Sequence, residues 1–225
     1  MITPRLQSII DMVTSDSIAD IGTDHAYIPI RLAKDKKIKK AIACDKNKGP
    51  IDIANDNIKK YGLSNIIITR QGDGLEPILK NEVSEIIIAG MGGNLIGNII
   101  EADLEKAQNA KLILQPMNAQ AELRKRLHEL GFTIIKEELS CEGFKVYNLM
   151  YVIFKRDINI YKEIDYHFPK SLLSHPLCDK LFNKKKREFE KIIKGQKESK
   201  NPDLEMIEKY SYLLDELLKI NKKGI

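Results

Sequence analysis

The chain has 225 residues, of which 43% are hydrophobic and 31% charged, so it can bury a sizeable core and is not expected to be disordered. No apolar run approaches the ~20 residues of a membrane span or forms a secretory signal, and three scattered cysteines and four scattered histidines argue against a disulfide framework and a metal site. We therefore expect a reduced, cytoplasmic protein that binds neither metal nor membrane. A monomer is also expected, although these observations do not determine the oligomeric state.

The predicted elements begin with a helix after Thr3-Pro4, where apolar residues recur at helical spacing. Beyond it, short apolar runs alternate with helical patterns. The predicted strands are 18–21, 41–44, 66–69, 85–89 and 111–114; the helices after them start at 26, 51 and 93, and a last one ends at Gly131. The segments 132–139 and 147–154 are a predicted closing pair of strands. This alternation predicts an α/β fold with a mostly parallel sheet, helices on both faces and an antiparallel edge.

The pattern changes after Arg156. Residues 157–176 include two prolines and are predicted to be a connecting segment. Two thin apolar stripes follow, with a break at 195–201, and predict a helical hairpin whose helices pack on each other. We therefore expect two domains, 1–156 and 157–225.

The net charge of +5 is concentrated in the predicted hairpin. Residues 180–200 hold nine Lys or Arg against three Asp or Glu. Such a block indicates a polyanion partner, although a solvated helix face would have the same composition.

Four loops that follow predicted strands carry carboxylates, glycines or both. They are Gly22-Thr23-Asp24-His25, Asp45, Gly72-Asp73-Gly74 and Gly90-Met91-Gly92-Gly93. Because the carboxyl ends of parallel strands meet at one edge of the sheet, where ligands of open α/β sheets bind, these loops predict a site for a nucleotide-like ligand.

The acidity of these loops favours S-adenosylmethionine over a dinucleotide. A dinucleotide site needs G-x-G-x-x-G, whereas only Gly22 is present and Asp24 would repel a phosphate. S-adenosylmethionine has a cationic end, which Asp20 and Asp24 suit, and no phosphate. Asp45 suits its ribose hydroxyls and Asp73 its adenine amino group. As alternatives, Asp45 is a helix N-cap and Asp73 a turn former.

Four motifs together resemble the bacterial tRNA (adenine-22-N1)-methyltransferase family. They are Asp20-Ile21-Gly22-Thr23-Asp24-His25-Ala26-Tyr27-Ile28-Pro29, Gln71-Gly72-Asp73-Gly74-Leu75, Ile88-Ala89-Gly90-Met91-Gly92-Gly93 and Leu112-Ile113-Leu114-Gln115-Pro116. The resemblance covers roughly residues 5–155, and the hairpin is similar to the C-terminal coiled coil of that family. Two departures are Cys44-Asp45 in place of a Gly-Glu pair and Met117 in place of Asn, with Asn118 one residue later.

The resemblance implies a Rossmann-like class I methyltransferase fold with a seven-stranded sheet, and methyl transfer from S-adenosylmethionine to N1 of adenine 22 in tRNA. The candidate cofactor-binding residues are Asp20, Gly22, Thr23, Asp45, Gly72, Asp73, Gly74 and Gly90. The candidate catalytic residues are Asp24, His25, Gly90 and Met91. Adenine N1 is already nucleophilic, so the site must mainly align it with the methyl group. A carboxylate such as Asp24 would stabilise the resulting cation, and His25 is either a base or a structural residue.

The tRNA itself would be bound by basic side chains. The candidates are Lys184, Lys185, Lys186, Arg187, Lys191, Lys194 and Lys197 in the hairpin, with Arg5, Arg31 and Lys48 extending the track. Gln115, Pro116 and Asn118 are candidates for positioning the substrate. Adenine N1 lies on the pairing edge, so the base must be unpaired or flipped.

Three other functions remain open from the sequence. The chain could methylate another RNA or a small molecule, or it could be a binding protein that keeps a methyltransferase fold without turnover. A nicotinamide oxidoreductase is disfavoured by the single-glycine turn.

Overall fold

A computed structural model describes residues 2–156 and 160–221. The chain divides into two compact units, 1–158 and 159–225. The start of the predicted connecting segment, 157–159, lies outside the described residues. Within the described ranges, no helix is long and apolar enough to cross a membrane.

The first unit is built on a seven-stranded sheet in the order β3-β2-β1-β4-β5-β7-β6. The strands are β1 Ser17–Ile21, β2 Lys40–Asp45, β3 Ile67–Gln71, β4 Glu85–Met91, β5 Lys111–Pro116, β6 Phe132–Glu142 and β7 Lys145–Phe154. β1 to β5 are parallel, and β7 runs antiparallel to both β5 and β6. This arrangement confirms the predicted sheet. The strand order reverses beside β1, which opens a crevice at the carboxyl ends of β1 and β4.

Six helices cover the two faces of this sheet. They are α1 Pro4–Met12, α2 Tyr27–Lys34, α3 Lys48–Lys60, α4 Gly93–Ala102, α5 Leu104–Gln108 and α6 Gln120–Glu129. Successive strand residues point to opposite faces, so Ile86 and Ile88 belong to one apolar cluster and Ile87 to the other. Each cluster fixes the helices on its side and thereby the loops between strand and helix.

The start of one helix and the presence of another differ from the prediction. α3 begins at Lys48, although Pro50 suggested a turn that continues to that residue. The proline is tolerated because it lies in the first helical turn, where its missing N–H has no intrahelical partner. The short α5 was not predicted, because five residues are too few to give a periodic signal.

The second unit is helical. It contains α7 Glu163–His167, a single 3-10 turn at Lys170–Leu172, α8 Cys178–Lys197 and α9 Leu204–Asn221. α8 and α9 pack on each other, as the apolar stripes predict. The predicted connecting segment contains α7 and the 3-10 turn, which the sequence analysis did not predict, and the buried Phe168 and Leu172 hold them in place. α8 also continues past Gly195, where a break was predicted.

Candidate functional site

A cavity of about 570 Å³ opens at the carboxyl ends of β1 to β4. Its walls include the four aspartates that the sequence analysis identified as candidates, Asp20, Asp24, Asp45 and Asp73. The lining residues are Thr3, Arg5, Leu6, Asp20, Ile21, Gly22, Asp24, Tyr27, Ile28, Asp45, Lys46, Asn47, Gly72, Asp73, Gly74, Ala89, Gly90, Met91, Leu95 and Ile99. The four loops therefore meet at one edge, as predicted.

The turn after β1 needs glycine at its start. Gly22 has a φ of +73°, and a Cβ at this position would lie 2.1 Å from Cε of Met91. His25 and Ala26 follow with φ values of 64° and 54°, a left-handed pair that costs conformational energy. The backbone N–H of Thr23 fixes the turn by donating to the carbonyl of Cys44 at 2.8 Å.

Asp20 is a buried carboxylate at the cavity wall. Its side chain is among the buried charged groups, with 6% exposure, and the Thr23 hydroxyl donates to it at 2.7 Å. The pKa of Asp20 is raised to about 6, mainly by burial and to a smaller extent by the nearby Asp45 carboxylate, while the hydrogen bond from Thr23 lowers it. Among the described residues, no Lys or Arg forms an ion pair with Asp20. An ionised Asp20 would thus be stabilised by a cation in the cavity.

Thr23 is 1% exposed and does not line the cavity. Its hydroxyl donates a hydrogen bond to Asp20, which does. The prediction that Thr23 binds the cofactor directly does not fit this position. It positions the carboxylate through its hydroxyl.

Asp24 is accessible, with a side chain that is 78% exposed, and its Oδ1 lies 3.1 Å from Nε2 of His25. The His25 ring stacks on Tyr27, with centroids 5.1 Å apart, and its carbonyl accepts from the Asn57 amide at 3.1 Å. Tyr27 lines the cavity and His25 does not. These contacts favour the structural alternative for His25, which holds Asp24 and Tyr27 in place.

Asp45 and Asp73 follow β2 and β3. Asp45 accepts from the backbone N–H of Asn47 at 2.8 Å, and Asn47, not Asp45, is the N-cap of α3. The N-cap alternative for Asp45 is therefore wrong. Asp73 is exposed, and its N–H lies 3.4 Å from a carboxylate oxygen of Glu76. Both carboxylates can accept further hydrogen bonds from a ligand.

The apolar part of the wall was not selected from the sequence. It includes Leu6, Ile28, Leu95 and Ile99. A Cβ on Gly74 would lie 3.1 Å from Cγ2 of Ile99, so this glycine keeps a narrow space open. Leu95, near the start of α4, is 48% exposed, and the sequence carries no signal that separates it from the buried apolar residues of that helix.

Arg5 lines the cavity and is held by Gln115. Its Nη1 donates to Oε1 of Gln115 at 2.7 Å, and the Gln115 amide donates to the Pro116 carbonyl at 3.0 Å. Gln115 and Pro116 are buried. The prediction that these two residues contact the substrate is corrected to an indirect role, because their polar groups are already used in fixing Arg5.

Asn118 is exposed beside the loop that follows β4. The backbone N–H of Gly93 donates to its carbonyl at 3.1 Å, and a Cβ on Gly92 would lie 2.9 Å from its Oδ1. The structure thus places Asn118 against Gly92 and Gly93, directly after the cavity-lining residues Gly90 and Met91.

The basic residues of α8 do not share one face. Four consecutive residues of a helix point in four directions about 100° apart, and Lys185 points inward with 3% exposure, paired with Glu188 at 3.0 Å. The prediction that Lys185 contacts phosphates is wrong for this reason. Lys184 is half-buried, and burial followed by the charge of Lys185 lowers its pKa. Lys186 is half-buried.

Exposed cations remain on both units. Arg187, Lys191 and Lys194 are exposed on α8 at positions i, i+4 and i+7, which lie on one helix face. In the first unit, Arg31 is exposed and paired with Asp35 at 2.8 Å, and Lys48 is exposed and paired with Asp52.

Comparison with known proteins identifies relatives of the chain. Residues 2–150 match the family model of a methyltransferase domain. A curated relative, the tRNA (adenine(22)-N(1))-methyltransferase of Bacillus subtilis (strain 168), is 38% identical over 151 residues, which cover 66% of this chain and 63% of the relative. The match thus spans less than two thirds of that relative's length.

Solved structures resemble the whole chain. The Bacillus subtilis m1A22 tRNA methyltransferase TrmK has a TM-score of 0.87 at 28% identity, covering 98% of each chain. Streptococcus pneumoniae Sp1610 in complex with S-adenosyl-L-methionine has a TM-score of 0.85 at 32% identity, covering 98% of this chain and 99% of that one. TrmK of M. capricolum in complex with S-adenosyl-homocysteine has a TM-score of 0.81 at 28% identity, covering 99% and 97%.

Proposed function

Since the chain belongs to the methyltransferase domain family, we propose that it transfers a methyl group from S-adenosylmethionine to N1 of an adenine in tRNA, at position 22. The observation that carries this proposal is the buried Asp20 carboxylate in a cavity lined by three further aspartates. Its relatives, which include tRNA (adenine(22)-N(1))-methyltransferases, support the same activity. The enzyme acts as a monomer in the cytoplasm, where its substrate is.

The cavity residues fit this cofactor. A buried carboxylate without a basic partner in the described chain is stable next to a cation, and the cofactor carries its positive charge without a phosphate. Asp20 and Asp24 would hold its cationic end, Asp45 its ribose hydroxyls and Asp73 its adenine amino group. The space beside Gly74 would accept a flat ring.

The bound cofactor supplies an electrophilic methyl group. The residues of the chain hold adenine N1 in line with this methyl group, which is catalysis by proximity. Asp24 is accessible at the turn after β1 and stabilises the positive charge that develops on the methylated adenine. Gly90 and Met91 line the same cavity at the end of the neighbouring strand β4. No strong base is required, which agrees with a structural His25.

The target adenine enters the cavity as a single extruded base. Its N1 lies on the edge used for pairing, so a paired adenine is out of reach. Exposed Arg187, Lys191 and Lys194 on α8 contribute non-specific attraction for the tRNA phosphates. Arg5, which lines the cavity, would meet the backbone of the target nucleotide.

Reverse transcription tests the proposal directly. Unmodified tRNA is incubated with the protein and S-adenosylmethionine and then copied, since a methyl group on N1 blocks pairing and stops the copy. A single stop at adenine 22 is the expected result. A stop elsewhere, or labelled methyl groups on another RNA or a small molecule, would reassign the substrate, and the absence of any transfer would indicate a binding protein without turnover.

A further inference from the structure

The hairpin between β6 and β7 projects past the edge of the sheet at which the cavity opens. Leu114 of β5 pairs with Met150 of the antiparallel β7. If this register continues for two residues, Pro116, the last residue of β5, lies opposite Asn148. β7 begins at Lys145, and the hairpin therefore extends about 10 Å beyond the end of β5.

The hairpin is tied to the first turn of α1. The backbone N–H of Arg5 donates to Oε1 of Glu142 at 3.0 Å. A hydrogen bond from Thr3 is the main cause that lowers the pKa of Glu142, with smaller contributions from the charges of Arg5 and Lys145. The Arg5 guanidinium also lies 5.7 Å from the centroid of the Tyr147 ring. Because Thr3 and Arg5 line the cavity, the hairpin is anchored at its rim.

Phe144 is at the tip of this hairpin and is 92% exposed. The turn is tight, because Gly143 adopts a φ of +61° and its carbonyl accepts from the Cys141 thiol at 3.1 Å. The next residue, Lys145, is exposed. A large aromatic ring and a cation on one anchored turn match the bases and phosphates of a nucleic acid.

We propose that Phe144 is a wedge that enters the base stack of the tRNA at the place the target adenine leaves. The inference rests on the proposed function. Extrusion of a base opens a gap in the stack, and an apolar side chain inserted between base steps stabilises the opened form. The hairpin that carries the ring is anchored at the rim of the cavity through Arg5, so one bound RNA can engage both. Phe144 is thus a positioning residue.

Three variants separate this role from a general effect. Phe144→Ala removes the ring, Phe144→Trp keeps a stacking surface, and Tyr61→Ala removes another exposed aromatic ring, at the end of α3. On folded tRNA, F144A lowers the kcat/KM of methylation at least tenfold, while F144W and Y61A stay within threefold of the wild type. On a short unstructured RNA with one adenine, F144A stays within threefold, because no stack has to be opened.

A spectroscopic readout measures extrusion without turnover. Folded tRNA carries 2-aminopurine at the methylated position, and its fluorescence increases on binding when the base leaves the stack. The wild type and F144W give this increase, and F144A binds the tRNA within threefold of wild-type affinity without it.

The remaining outcomes each overturn a distinct statement. If F144A methylates folded tRNA and increases the fluorescence as the wild type does, the wedge is overturned and the proposed function stands. The same holds if F144A loses equal kcat/KM on the folded and the unstructured RNA. A change in sedimentation between the wild type and F144A assigns the ring to contact between copies and also overturns the wedge. A wild-type protein that methylates neither RNA overturns the proposed function and the wedge with it.

Discussion

The Asp20 carboxylate accepts a 2.7 Å hydrogen bond from the Thr23 hydroxyl and has Asp45, another acid, among its charged neighbours. One neutral donor does not offset the loss of hydration, so burial raises the pKa of Asp20 to about 6. The free protein thus keeps a carboxylate at the cavity wall at a cost in stability, and the cost is relieved when a cation binds.

Replacing Asp20 by Asn should stabilise the free protein while removing cofactor binding. The pKa of this carboxyl is raised from 3.8 to about 6 on folding, so the ionised form destabilises the folded state by up to about 3 kcal/mol at pH 7.5. The penalty is present above pH 6 and disappears as the pH falls towards 4. Chemical denaturation of both proteins at pH 7.5 and pH 4.5 measures it, and a D20N variant no more stable than the wild type at pH 7.5 would contradict the assignment.

The same carboxylate predicts a pH dependence of cofactor affinity. A cation binds the ionised form, so the affinity for S-adenosylmethionine should fall below pH 6 and approach a tenfold loss per pH unit. Titration calorimetry between pH 5 and pH 8 tests this. Affinity that is constant across the range would show that Asp20 does not face the charge of the ligand.

Asp45→Asn should weaken binding of both S-adenosylmethionine and S-adenosylhomocysteine. Hydrogen bonds to a charged acceptor contribute about 1.5–3 kcal/mol, equivalent to about a 10- to 150-fold change in affinity. Calorimetry gives both constants. Asp52→Asn, whose carboxylate pairs with Lys48 on the exposed side of α3, is the matched control and should bind like the wild type. Unchanged affinity in D45N would remove Asp45 from the ribose site.

Asp24→Ala should reduce turnover without destabilising the fold. Its side chain is 78% exposed, so the fold does not depend on it, whereas the cation formed on adenine does. We expect kcat, measured at saturating S-adenosylmethionine, to fall at least tenfold, with a free energy of unfolding within about 0.5 kcal/mol of the wild type. Asp35→Ala, which breaks only the exposed pair with Arg31, is the control, and full activity in D24A would refute its assigned role.

Reversal of three charges on α8 should weaken tRNA binding. Arg187, Lys191 and Lys194 share one exposed helix face, and each lost phosphate contact reduces the salt slope of log K by about 0.9. The triple Glu variant should therefore show a slope smaller by about two to three, with unchanged cofactor affinity, in filter binding at several salt concentrations. Reversing the exposed Lys36, Lys37 and Lys111, at the other end of the strands, is the control. Equal tRNA affinity would remove α8 from the binding surface.

The sequence by itself determined the sheet and the edge at which the cavity opens. Short apolar runs followed by Gly22, Asp45, Asp73 and Gly90 are local signals, because each strand and its turn are encoded by neighbouring residues. The parallel alternation then required these turns to lie together. Burial of Asp20 follows from its position in the apolar run 18–21.

Only the tertiary structure decided which polar residues are accessible. The Gln115 side chain accepts a hydrogen bond from Arg5, which is 110 positions away. Lys185 is buried because of how the helices of the second unit pack. The hydrogen bond between the Arg5 N–H and Glu142 joins α1 to the hairpin that carries Phe144, and these two residues are 137 positions apart. Contacts between residues so far apart leave no periodic signal in a single sequence, because they depend on how whole elements pack.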